Sequence, residues 1–271
     1  MDLVLFYIAS AFYFVATLQY IVYLATRRLL MGQVATWATA VGFAFHTLSL
    51  AAQIGATGRA PVGSPYEVVS SFAWAVLLLY LVVELRSRAH VAGAFVLPLV
   101  VLAMYAAAGS RKHFTADLGP AMESMWVWAH VTLAVFGNAA FVITSAAGFM
   151  YLLQERQLKA KRPGGRGLPL PSLETLDRWS YLSLSVGFPL LTLGILMGFI
   201  RAGSAWGSYF AGDPRQIWSV ITCLIYGTLL AARVSAGWRG RKAALLSVAG
   251  FAAVLLTFGG VHIFSRGFHA F

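Results

Sequence analysis

Cysteine is nearly absent: Cys223 is the one thiol in 271 residues. A lone thiol closes no internal disulfide, and neither C-x-x-C nor any other cysteine-based metal spacing can be built from it. Cys223 lies in an apolar stretch and reads as a small buried apolar side chain. Charge is scarce too, at 11% of residues, against roughly 25% in a soluble domain. Acids are rarer still, nine in all. Two of them, Glu67 and Glu84, fall at the ends of apolar runs, which argues against an aqueous ion pathway through a bilayer. No serine, cysteine or lysine stands in a hydrolase or kinase pattern. Polar stretches are short, and only 154–178 (QERQLKAKRPGGRGLPLPSLETLDR) is substantial. Its proline, glycine and charge read as a flexible linker without chemistry of its own.

Hydrophobic residues fill this gap, making up 59% of the chain with a mean hydropathy of +0.76. A hydrocarbon core of about 30 Å takes some 20 apolar residues per helix. Eight runs of suitable length are expected to be spans: 3–25, 34–53, 67–85, 91–109, 125–153, 180–200, 217–236 and 243–263. The first is long and has no small-residue cleavage pattern after it, so it reads as a retained helix rather than a signal peptide. The expectation is an all-α, polytopic integral membrane protein. It forms one transmembrane domain over 1–271, with a tryptophan-rich loop near 204–218 and the linker at 154–178. No internal repeat is present.

The formal charge of +11 suits either nucleic acid or the topology signals that flank membrane helices. Placement decides for topology and against nucleic acid. Fourteen basic residues fall in one set of connections: Arg27, Arg28, Arg86, Arg88, Arg156, Lys159, Lys161, Arg162, Arg166, Arg178, Arg233, Arg239, Arg241 and Lys242. Six fall in the other: Arg59, Arg111, Lys112, Arg201, Arg215 and Arg266. Positive residues stay inside, so both termini are expected outside, in a bacterial-type plasma membrane.

On that topology five of the six histidines approach the outer face. His130 lies just inside span five, His262 closes span eight, His269 follows in the tail, His113 sits in an outer loop and His46 lies within span two. His90 is cytoplasmic and reads as a headgroup-level residue beside Arg88. His113, after Arg111 and Lys112, reads as a solvated loop residue. His46 fits either a hydrogen bond to a neighbouring helix or a ligand. His130 and His269 form the strongest pair, at one membrane level on different elements, as two axial ligands of a heme iron would be.

Between spans six and seven, residues 205–218 read AWGSYFAGDPRQIW. Trp206, Tyr209, Phe210 and Trp218 supply aromatic surface, and Asp213-Pro214 favours a turn. An interfacial aromatic belt explains tryptophan and tyrosine at this depth. Their density in a loop also suits a shelf for a large planar ligand, with Arg201 or Arg215 pairing its carboxylates. A transporter of another amphipathic molecule through the helical bundle is the rival reading, and its flux would be indifferent to both outer histidines.

This segment resembles the tryptophan-rich WWD signature of the cytochrome c assembly superfamily, the heme-handling proteins that include CcsA, CcmC and HemX. Trp206, Gly207, Tyr209, Asp213, Pro214 and Trp218 match it. In the same order, CcsA-type proteins are resembled by Phe45-His46-Thr47-Leu48, GRAPVGSPYE (58–67) with Trp74, Trp128-Ala129-His130-Val131, Gly237-Trp238-Arg239-Gly240 and Gly267-Phe268-His269. The resemblance covers nearly the whole chain. It implies that His130 and His269 ligate heme b at the outer face, for delivery to apocytochrome c beside a CcsB-type membrane partner. His46 would belong to a second site. Phe210 and Gly212 replace tryptophans of the signature, Arg215 a lysine and Gln216 an acid. Ala231 stands where CcsA-type proteins carry a helix histidine. A HemX-like effect on heme biosynthesis is the alternative. Whether the chain forms part of a heme-attachment complex stays open, since it has no thiol pair.

Overall fold

The computed structural model describes residues 2–110, 125–160, 167–206 and 214–256. Its elements are α1 (Asp2–Thr26), α2 (Leu29–Thr57), α3 (Pro65–Ser87), a 3-10 turn (His90–Ala92), α4 (Gly93–Ser110), α5 (Met125–Lys159), α6 (Leu173–Trp206), α7 (Pro214–Ser235) and α8 (Arg241–Leu255). Among the described residues there is no strand, and the all-α expectation holds. Among the described residues, seven helical segments are long and apolar enough to cross a membrane. The eighth helix, described over 15 residues, rises about 22 Å over that stretch. The chain is a multi-pass membrane protein.

Helices outrun their apolar runs where polar residues still favour helix. α5 continues through Gln154–Lys159, with Lys159 bonded to Glu155 at 2.6 Å, and α6 begins at Leu173. Both therefore extend into the 154–178 stretch. Large apolar side chains remain on the outside, among them Val4, Phe14, Leu102 and Leu224. A bilayer accepts such a surface, because its tails are as apolar as the side chains.

The chain divides into two compact units. The first holds α1–α4 and Leu153–Thr175. On α1, Phe6, Ala9, Tyr13, Ala16 and Tyr20 are all buried. Their spacing of three and four places them on one helix face. Rings alternate with alanine, so neighbouring helices approach between the rings. Gly42 completes this fit, since a Cβ there would stand 2.8 Å from Tyr13 Cε1. The start of α3 is closed by a reciprocal cap: Ser64 Oγ accepts from Glu67 N at 3.2 Å, and Glu67 accepts from Gly63 N at 2.8 Å. Arg59 grips the same carboxylate at 2.9 and 3.0 Å.

The second unit holds α5 up to Leu152, α6 from Leu176, α7 and α8. Residues 137–148 of α5 are buried without interruption. Small residues permit this. A Cβ on Gly137 would meet Leu191 N at 2.7 Å, and one on Gly187 would meet Ala140 Cβ and Phe141 Cε1 at 2.9 Å. The α5 and α6 backbones therefore run in close contact along this seam. Farther along, Phe141 stacks on Tyr226 at 3.7 Å between centroids. Tyr226 and Ser247 then join Ser145 in a buried hydrogen-bond network.

Candidate functional site

His130 stands on the second turn of α5 and is half-buried. Its Nδ1 lies 2.5 Å from the carbonyl oxygen of Gly194 on α6. The imidazole rests over Gly198, where a Cβ would stand 2.6 Å from His130 Cε1 and 2.9 Å from Nδ1. Glycine at 198 therefore makes the room that the ring occupies. The α5–α6 seam delivers His130 to this notch, since Gly194 also lies close to Ala134 of α5, its Cβ position 3.0 Å from Ala134 N. Among the described residues, Nε2 has no hydrogen-bond partner.

Trp218 is on the second turn of α7, half-buried, and its carbonyl accepts from Thr222 Oγ1 at 2.8 Å. Trp206 closes α6, but its side chain lies outside the described residues, as do those of Arg201 and Arg215. Tyr209, Phe210, Asp213, His113, His262 and His269 also lie outside them. Of the residues expected at the outer face, the described side chains are thus His130 and Trp218 in the second unit and His46 in the first.

His46 belongs to the first unit and is fully buried. Both ring nitrogens are engaged: Nδ1 lies 3.2 Å from Tyr13 Oη, and Nε2 lies 3.0 Å from Ser70 Oγ. Phe6 approaches the ring edge-on at 6.3 Å. To ligate iron, His46 would have to surrender one of those two hydrogen bonds.

Sequence reasoning reads His90 as a headgroup-level residue, and the structure adds that its side chain packs against neighbouring helices. Its ring lies against Gly32, where a Cβ would meet Cγ at 2.9 Å, and Nδ1 lies 2.9 Å from Glu84 Oε1. Glu84 is 1% exposed. It also accepts from Tyr20 Oη at 2.9 and 3.0 Å and from Thr36 Oγ1 at 2.7 Å. In the second unit Arg233 reaches Asp177 at 3.0 and 3.3 Å and Ser180 at 3.2 Å. Gly240 N donates to the same aspartate at 3.1 Å. These are helix-end clamps built from partners far apart in sequence. For the notch that holds His130, Gly194-x-x-x-Gly198 is the pattern that could have pointed to it, being a close-approach motif in an apolar helix.

Among the described residues no three histidines, cysteines or acids gather as they would around a bare ion. His130 offers a single imidazole nitrogen. That suits an axial position on an iron that already carries its equatorial donors.

Comparison with known proteins identifies relatives along most of the chain. A family model described as Cytochrome C assembly protein matches residues 62–269. Among curated proteins, the cytochrome c biogenesis protein CcsA of Microcystis aeruginosa is 30% identical, over 85% of this chain and 86% of its own length. CcsA of Gloeobacter violaceus is 30% identical over 97% and 94%. That of Heterosigma akashiwo is 31% identical over 78% and 76%.

Proposed function

The chain belongs to the cytochrome C assembly protein family, and from that premise we propose that it binds heme at one membrane face and delivers it to apocytochrome c. A part in cytochrome c biogenesis follows from the family and from relatives that carry that name. The single observation that carries the heme reading is His130. Its Nδ1 is held by the Gly194 carbonyl, and Nε2 is left without a partner among the described residues.

In this reading heme, as heme b, is the cargo. His130 and His269 take the two axial positions, which saturates the iron and suppresses oxygen chemistry there. The aromatic segment from Trp206 to Trp218, with Tyr209 and Phe210, stacks on the porphyrin and excludes water. Asp213 belongs to the same segment, and Arg201 or Arg215 would pair with the propionates. His46, with both nitrogens bonded inside the first unit, lies outside the iron's ligand pair. Attachment needs the thiols of the apocytochrome, because Cys223 is the only one here. A CcsB-type partner in the same plasma membrane would present them.

The test is the visible spectrum of the purified protein beside His130→Ala and His269→Ala. Bis-histidine ligation predicts low-spin bands that each substitution removes or shifts to high spin. Unchanged bands in both variants would sink the proposal. A second reading, a HemX-like effect on heme synthesis, is favoured by Phe210, Gly212 and Ala231 at positions where CcsA-type proteins carry tryptophans and a histidine. Normal c-type cytochromes with altered heme precursors, after deletion of the gene, would select it.

A further inference from the structure

A helical histidine on a membrane protein can offer either ring nitrogen to a ligand, depending on which one carries the proton. The neutral imidazole has one N–H donor and one lone pair. A backbone carbonyl only accepts. The 2.5 Å contact between His130 Nδ1 and Gly194 O therefore requires the proton on Nδ1, and the lone pair falls on Nε2. Inside α6 the Gly194 carbonyl also faces the N–H of residue 198 in the helical ladder. One oxygen with two lone pairs serves both donors, provided the imidazole can come close to the helix axis.

Gly198 is what permits that approach. A Cβ at 198 would stand 2.6 Å from Cε1, 2.9 Å from Nδ1 and 3.3 Å from Nε2. The first two are closer than van der Waals contact allows, so any larger residue pushes the ring off the carbonyl. The two glycines thus do different jobs. Gly194 keeps α6 near α5, its Cβ position 3.0 Å from Ala134 N, and supplies the acceptor. Gly198 is the floor on which the ring lies.

We propose that Gly194 and Gly198 are positioning residues for heme ligation: they hold His130 as its Nδ1–H tautomer and aim Nε2 at the iron. This rests on the reading of His130 as an iron ligand. A partner on the far nitrogen fixes tautomer and ring orientation and raises ligand basicity, and losing it typically costs roughly 10–100-fold in metal affinity.

The inference is tested without heme as well as with it. In the full-length apoprotein labelled with 15N-histidine, with the His130 resonances assigned by His130→Asn, the wild type is expected to show Nδ1 protonated and Nε2 unprotonated. Gly198→Ala is expected to lose that single tautomer, to bind heme roughly tenfold or more weakly, and to weaken the low-spin bands. Gly187→Ala is the control. Its Cβ would press on Ala140 and Phe141 at 2.9 Å, away from His130, so it should cost stability while keeping tautomer and spectrum. Should Gly198→Ala fail to fold, the wild-type spectrum still decides, and an Nε2–H tautomer overturns the proposal. So does Gly198→Ala with wild-type tautomer and bands, or an equal spectral effect from Gly187→Ala. If His130→Ala keeps the bands, ligation by His130 fails instead, and the apoprotein tautomer remains a separate result.

Discussion

The carboxylate of Glu84 and the imidazole of His90 meet at 2.9 Å across six residues of sequence, with Glu84 at 1% exposure. Tyr20 and Thr36 complete the ring of donors from two further helices. A buried carboxylate is tolerated only when donors replace its lost water, and here three do. Glu84→Gln puts an amide N–H₂ against donors and leaves at least one unsatisfied. The expected loss is about 1–3 kcal/mol, seen as a lower unfolding temperature in detergent. An unchanged melting temperature would show that the cluster adds nothing to stability.

Arg233 presents two N–H groups to Asp177 and a third contact to Ser180. The side chain is 4% exposed against 22% for the aspartate, so the pair is partly shielded. Removing the guanidinium in Arg233→Ala should cost on the order of 1.5–3 kcal/mol. Arg233→Lys should recover only part, because an ammonium cannot reproduce the planar fork. Full recovery with lysine would mean that charge alone matters there.

Two glycine substitutions should move stability in opposite directions. Gly137→Ala drives a Cβ to 2.7 Å from the Leu191 backbone nitrogen, which cannot swing aside, and about 1–3 kcal/mol is expected to be lost. Gly55 in α2 has open space around it, so Gly55→Ala should gain up to about 1 kcal/mol from helix propensity. Thermal unfolding followed by dye labelling of Cys223 reads both. A Gly137→Ala that is as stable as the wild type would contradict the close α5–α6 seam, and a loss in Gly55→Ala would contradict the open space around α2 there.

His46→Phe separates a packing role from a ligand role. The substitution leaves Tyr13 Oη and Ser70 Oγ facing an apolar ring, since both lie within 3.2 Å of the imidazole nitrogens. A loss of roughly 1–3 kcal/mol is expected, with heme bands at wild-type intensity in whatever folds. Bands that fall in parallel with those of His130→Ala would instead make His46 part of the heme site.

Much of this was legible in one dimension. A span's length and apolarity are imposed by the bilayer and need no partner, so the runs over 3–25, 67–85 and 125–153 locate α1, α3 and α5. His130 stood out as a candidate as well, because an ionisable group just inside a span is costly enough to need a reason. The partners of His90 were not. Its neighbour Arg88 marks only a headgroup-level position, whereas its contacts are Thr36, Glu84 and Gly32, brought together only when α2, α3 and the turn after it pack.

By itself, then, the sequence determined the all-α multi-pass architecture, because the bilayer dictates spans residue by residue. It also nominated His130 and the aromatic run of 206–218 as candidates for holding a planar cargo. Only the tertiary structure decided what holds that histidine. Gly194-x-x-x-Gly198 announces that something comes close to α6, but which side chain fills the notch, and which of its nitrogens remains free, depends on a contact 64 residues away. Such a contact is set by how α5 and α6 pack, and no local pattern encodes it.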